Sequence, residues 1–194
     1  IEEKFLIDPK KPLILFTFHP VVKNENDLRK DVDEVFKSLE YLSKDNQIII
    51  TYPNFDPGHQ YIISKIIKIK KRFNILKVVK HLGRTNYHSL LYYIGKNKKG
   101  FCMGNSSSGI KETIFFNCPT LNIGDRQKSR LKPYNVIDVK PIKSKIIKSV
   151  ANTLKIKKGI KNNPYKITKN FFILPQTIKR KFKEIKFAQK KCTL

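Results

Sequence analysis

The chain has 194 residues, 40% of them hydrophobic, and a formal net charge of +26. That length accommodates one domain with a real hydrophobic core plus an appendage. No apolar run approaches the roughly 20 residues of a membrane span, and the three cysteines, Cys102, Cys118 and Cys192, are too scattered for a disulfide framework or a metal-binding spacing.

The predicted elements alternate. Pro12–Phe18 (PLILFTF) is a continuous apolar run of strand length that ends at His19-Pro20. The following segment, residues 26–42, places Leu28, Val32, Val35, Phe36, Leu39 and Leu42 on one face of a helix with charges opposite. QIIITY at 47–52 is a second buried strand, stopped by PNFDPG, and residues 59–73 read as a helix. ILKVVKH (75–81) is a third strand and TNYHSLLYYIGK (85–96) a helix. GFCM (100–103) is a fourth strand, with SGIKETIFFN (108–117) expected as one helix. PTLNIG (119–124) and NVIDV (135–139) are the last strands. The helix of residues 142–154 has Ile142, Ile146, Ile147, Val150 and Leu154 in register.

Strands without polar alternation are buried on both faces, and strands alternating with helices predict a parallel sheet with crossover helices. The expected fold is a doubly wound, Rossmann-like α/β domain over residues 1–158. A linker and a basic amphipathic helix follow over 159–194, with Ile178, Phe182, Ile185 and Ala188 or Phe187 on the apolar face of the helix.

Residues 151–194 hold 13 basic residues and one acidic one. The basic residues are interspersed with apolar ones at helix spacing and form no aromatic-interleaved stripe. They read as solvated faces, so nucleic acid is not an expected partner. Such a field also favours a small phosphate-bearing ligand.

Ligands on doubly wound sheets sit at the carboxyl ends of the strands. The unusual polar clusters fall there: His19, PNFDPG, HLGRTN, GNSSSG and GDRQKSR. In GNSSSGIKE, Ser106 and Ser107 supply donors beside unpaired helix-start amides, and Gly104 and Gly109 are expected to let an anion approach the main chain. The bland reading is a serine cap on an ordinary helix. Glu112 lies slightly further along, where a carboxylate can accept two hydrogen bonds from a ribose diol. Only six of the 41 basic residues are arginine. Arg126 and Arg130 therefore suggest a need for planar, bidentate donors to phosphate. His19 can donate to the same phosphates. Arg84 can stack on a flat base, and Asn54 and Asp56 are otherwise explained as turn formers.

TFHPVV, YPNFDPG, GNSSSGIKE and NIGDRQKSR, in this order and spacing, resemble the C-terminal half of hydrolysing UDP-N-acetylglucosamine 2-epimerases over about Leu13 to Leu154. The resemblance implies one half of a two-domain glycosyltransferase-B fold, holding UDP. It implies Ser106 and Ser107 on the diphosphate, Glu112 on the ribose hydroxyls, and His19 and Arg126 at the departing phosphate. Arg130 is expected near the same phosphates, and Asn54, His81 and Arg84 along the uracil side. The implied reaction eliminates UDP to a 2-acetamidoglucal and adds water, giving N-acetylmannosamine without metal or other cofactor, in sialic- or legionaminic-type sugar synthesis. Its proton-transferring carboxylates belong to the N-terminal half. The chain, which begins at Ile1 in the charged stretch IEEKFLIDPK without an apolar signal segment, is expected to be a cytoplasmic fragment, inactive alone. A homo-oligomer is expected at full length. Two other readings use the same residues: the UDP-sugar half of a glycosyltransferase, and a non-enzymatic basic module that binds nucleic acid through its tail.

Overall fold

Six of the apolar runs pair as parallel strands in a computed structural model that describes residues 1–21, 24–73, 75–97, 99–156 and 163–166. A first turn of helix, α1 (Glu2–Phe5), precedes β1 (Leu13–Thr17), α2 (Glu25–Leu42), β2 (Gln47–Thr51) and α3 (His59–Arg72). Then come β3 (Lys77–Val79), α4 (Gly83–Asn97), β4 (Gly100–Gly104) and α5 (Ser108–Lys111). A 3₁₀ turn (Thr113–Phe116) leads to β5 (Thr120–Ile123), β6 (Val136–Val139) and α6 (Lys143–Leu154). The strand order is β3-β2-β1-β4-β5-β6, and every neighbouring pair is parallel. This is the Rossmann-like, doubly wound arrangement, whose strand order reverses between β1 and β4.

The period-2 geometry of a strand sends successive side chains to opposite faces, so one strand feeds two cores. Ile14 and Phe16 join Ile48, Ile50, Phe101 and Met103 beneath the apolar stripes of α2 and α3. Leu13 and Leu15 point the other way and pack with Ile49, Leu90, Leu91, Ile94 and Cys102. Phe5 and Ile7, from a segment not assigned to any element from sequence, close that second core. The central strands β1, β2 and β4 are accordingly buried almost throughout. Cys102 and Cys118 are buried free thiols. Burial pushes the Cys102 thiol up to about 12 and raises Cys118 as well.

Local chemistry sets the ends of the helices. The Asn24 side chain accepts from the Asp27 amide at 2.9 Å and caps α2, with Glu25 and Asp27 in the first turn. The expected strand 75–81 is shorter in the structure. As an edge strand, β3 pairs only with β2, and at three positions. On α6, Ile146 is buried and Val150 packs on the core, but the N-cap residue Ile142 and Leu154 at the last position remain 38% exposed. The helix leans on α2 instead, with the Lys143 amide donating to Glu34 at 2.9 Å.

The expected single helix over 108–117 is broken. Thr113 Oγ1 donates back to the Gly109 carbonyl at 2.7 Å, a bond that bends helices. The chain tightens to a 3₁₀ turn and ends at Asn117 in the left-handed region, φ 51°. The Cys118 amide returns to the Thr113 carbonyl at 3.0 Å.

The chain divides into two compact units, Ile1–Pro164 and Tyr165–Leu194. The amphipathic helix expected over 176–191, and the expected boundary at 158/159, lie outside the described residues. Among the described residues, no helix is long and apolar enough to cross a membrane.

Candidate functional site

A cleft of 1330 Å³ opens at the carboxyl ends of the strands. Four strand tips line it: Thr17 and His19 at the end of β1, Thr51 to Phe55 at the end of β2, Lys80 to Arg84 after β3, and Ser106, Ser108 and Glu112 after β4. Helix α4 adds Tyr87 and His88, and the 3₁₀ turn adds Phe115 and Phe116. Of the residues singled out from sequence, His19, Asn54, His81, Arg84, Ser106 and Glu112 share this one cleft. Arg126 stands beside it. Its Nη1 donates to the Asn105 carbonyl at 3.3 Å, and its Nη2 lies 3.9 Å from Asp56.

The remaining three are placed differently. Arg130 is exposed and does not line the cleft. Ser107 caps α5 through its backbone, its carbonyl accepting from the Ile110 and Lys111 amides. Gly109 is buried, and a Cβ there would meet Thr120 Cγ2 at 3.4 Å. That is ordinary van der Waals contact, so packing alone does not require glycine there. Gly104, by contrast, has a packing reason: at φ +135° a Cβ would lie 1.8 Å from the Thr17 carbonyl oxygen. Because α5 is a single turn, its macrodipole is small. What remains is direct. Among the described residues, the Ser106, Ser107 and Ser108 amides meet no acceptor. Tyr87 OH, Ser108 Oγ and Ser106 Oγ are chained at 2.9 Å per link.

His19 is 6% exposed. Its Nδ1 accepts from the Asn54 amide at 3.0 Å, so the neutral ring carries its proton on Nε2. Burial, then the nearby Arg126 charge, lowers its pKa from the ordinary 6.5 to about 4, with Asp56 opposing. At neutral pH it is thus an uncharged Nε2–H donor. Below the unfolded pKa the unfolded chain takes up this proton and the folded chain does not. Stability is therefore expected to fall as pH drops from 6.5 towards 4, by an order of 3 kcal/mol. An NMR titration of the His19 ring checks this; a midpoint above 6 would contradict the effect of burial.

Asn105, which sequence reading left without a role, ties the site together. It is fully buried. Its Oδ1 accepts from the His19 amide at 2.7 Å, and its Nδ2 donates to the His19 carbonyl at 2.8 Å. Its own amide donates to the Thr17 carbonyl at 3.2 Å, and its carbonyl accepts from Gln127 Nε2 at 2.9 Å as well as from Arg126. One side chain and its peptide thus join the tips of β1 and β4 to the loop after β5. Tyr87, His88 and Gln127 were also missed. Tyr87 and His88 lie on a helix whose other residues read as ordinary core or surface, and 24 residues separate His88 from its partner Glu112.

An open parallel sheet of this order, with a largely apolar cleft carrying a few polar side chains at its strand tips, defines a Rossmann-like ligand-binding domain. The family model described as UDP-N-acetylglucosamine 2-epimerase matches residues 1–183. The chain belongs to that family. It is 38% identical over 130 residues to a GDP/UDP-N,N'-diacetylbacillosamine 2-epimerase (hydrolyzing) of Campylobacter jejuni, covering 66% of this chain and 32% of that one. It is 32% identical over 137 residues to a UDP-N,N'-diacetylbacillosamine 2-epimerase (hydrolyzing) of Legionella pneumophila, covering 71% of this chain and 34% of that one. Its fold is similar to that in an S. aureus MnaA-UDP co-structure, with TM-score 0.52 and 17% identity, over 79% of this chain and 39% of that one. The chain spans about a third of the length of the curated relatives it matches.

Proposed function

We propose that this chain holds the uridine diphosphate end of a UDP-linked 2-acetamido sugar. With an N-terminal half that completes a glycosyltransferase-B-type cleft, it serves a hydrolysing 2-epimerase. The observation that carries this reading is the meeting of His19, Ser106 and Glu112 in one cleft with Arg126 alongside. The similar S. aureus structure is a co-structure with UDP, which supports the choice of nucleotide.

In this reading Ser106 and the free amides of the Ser106–Ser108 turn hold the diphosphate, and Glu112 holds the ribose hydroxyls. His81 and Arg84 flank the base. The substrate loses its C2 proton and UDP, forming a 2-acetamidoglucal. Water then adds across the new double bond, and the 2-epimeric free sugar leaves. As the C1–O bond breaks, negative charge grows on the β-phosphate. His19 Nε2–H and the Arg126 guanidinium are fixed donors whose interaction strengthens as that charge develops. A neutral histidine suits the task, because it stabilises the oxygen without first having to acquire a proton. The C2 proton is taken by carboxylates of the N-terminal half, so this chain alone binds but does not turn over.

UDP-N-acetylglucosamine is the substrate this reading favours, with N-acetylmannosamine as product and sialic-type sugars downstream. The names of the two relatives favour a second substrate, UDP-N,N'-diacetylbacillosamine, for a legionaminic-type sugar. Turnover of each by the chain joined to its N-terminal half decides between them.

Calorimetry tests the nucleotide site directly. UDP is expected to bind more tightly than UMP or ADP, and Glu112→Ala and Arg126→Ala each to weaken UDP by about tenfold or more, the loss of a charge-assisted hydrogen bond. Equal affinity for the three nucleotides would reject the site.

A further inference from the structure

We propose that His88 is a positioning residue that sets the Glu112 carboxylate for a ribose, making this cleft selective for ribonucleotides over 2′-deoxyribonucleotides. The inference rests on the ribose role of Glu112 given above and adds the group that makes that role possible. His88 Nε2 lies 2.7 Å from Glu112 Oε2. An ionised carboxylate can only accept, so the imidazole donates, whether neutral or charged. One carboxylate oxygen is thereby occupied, and Oε1 meets no donor among the described residues.

The backbone gives Glu112 little guidance. It sits at the junction between α5 and the 3₁₀ turn, with a side chain 42% exposed. A free glutamate there would lose rotamer entropy on gripping a diol. His88 removes that loss in advance. Its own ring is set by α4 and by Phe116, whose ring centroid is 5.1 Å away at 45°. As a stabilising contact, so exposed a pair contributes little. Its effect is expected on ligand choice.

The experiment is calorimetry on the full chain with UDP and 2′-deoxy-UDP, for the parent and for His88→Leu, His88→Gln and Glu112→Ala. The parent is expected to prefer UDP by about tenfold, one charge-assisted hydrogen bond. His88→Leu should reduce the preference to about twofold with an unchanged melting curve. His88→Gln, which can return an N–H donor to Oε2, should retain most of it. A His88→Leu variant with the parent's preference overturns the proposal, and so does His88→Gln falling as far as His88→Leu. If Glu112→Ala keeps the parent's preference, the ribose role of Glu112 fails first and takes this inference with it. Absence of UDP binding in the parent would instead reject the nucleotide site itself.

Discussion

Asn105→Ala is expected to cost the fold about 2–6 kcal/mol and to weaken UDP binding at least tenfold. The substitution deletes both side-chain hydrogen bonds to the His19 main chain, at 2.7 and 2.8 Å. Water cannot readily replace them, because Asn105 is fully buried. An amide and a carbonyl are then left without partners, and each orphaned buried group costs about 1–3 kcal/mol. The Arg126 and Gln127 bonds go to the Asn105 carbonyl, which alanine retains. The binding loss should therefore arise through His19 and concern the phosphates. Chemical denaturation measures the first effect. Calorimetry with UDP against uridine measures the second: UDP should weaken and uridine should not. Unchanged stability and UDP affinity together would show that the bridge has no such role.

Gly104→Ala is expected to be the most damaging single methyl addition in the sheet, abolishing folding or costing more than about 3 kcal/mol. The added Cβ would stand 1.8 Å from the Thr17 carbonyl oxygen, and φ is +135°. Backbone on both sides is held by parallel pairing of β1 with β4, so neither strand can yield without opening the switch point. Gly83→Ala is the natural control. It too has positive φ, +68°, but nothing lies within 4 Å of its Cβ, so only the left-handed penalty of roughly 1–2 kcal/mol applies. Circular dichroism melts of the two variants separate collision from conformation. Equal melting would mean that the sheet relaxes around Gly104.

The two variants probe different halves of one junction. Gly104 lets β1 and β4 approach, and Asn105 uses that approach to bind across it. The catalytic proposal depends on both, because His19 reaches the cleft only from a β1 tip held against the β4 tip.

Much of this architecture was legible in the chain itself. Apolar runs of strand length without alternation read as strands buried on two faces, and the stripe from Leu28 to Leu42 as a helix with one face inward. Rank order along the chain then brought the polar clusters to one sheet edge. Residue chemistry pointed to His19, Ser106, Glu112 and Arg126 because hydroxyl, carboxylate and scarce arginine are poor core material. The packing decided what spacing cannot carry. Gly104 reads as an opening for an anion, yet a Cβ there would strike the Thr17 carbonyl oxygen; a glycine reads the same whether a ligand or a neighbouring strand fills its missing side chain. The 108–117 segment has helical spacing throughout, yet α5 ends at Lys111 and gives way to a 3₁₀ turn, with the Thr113 hydroxyl bonded back to Gly109. Asn105 is one more polar residue in a polar turn until the fold buries it. His88 and Glu112 meet because α4 and α5 share a side of the sheet, a distance relation that no local pattern contains. Sequence determined which elements form, since burial periodicity is written residue by residue; tertiary structure alone decided which polar groups face each other, since those contacts are set by how separate strands stack.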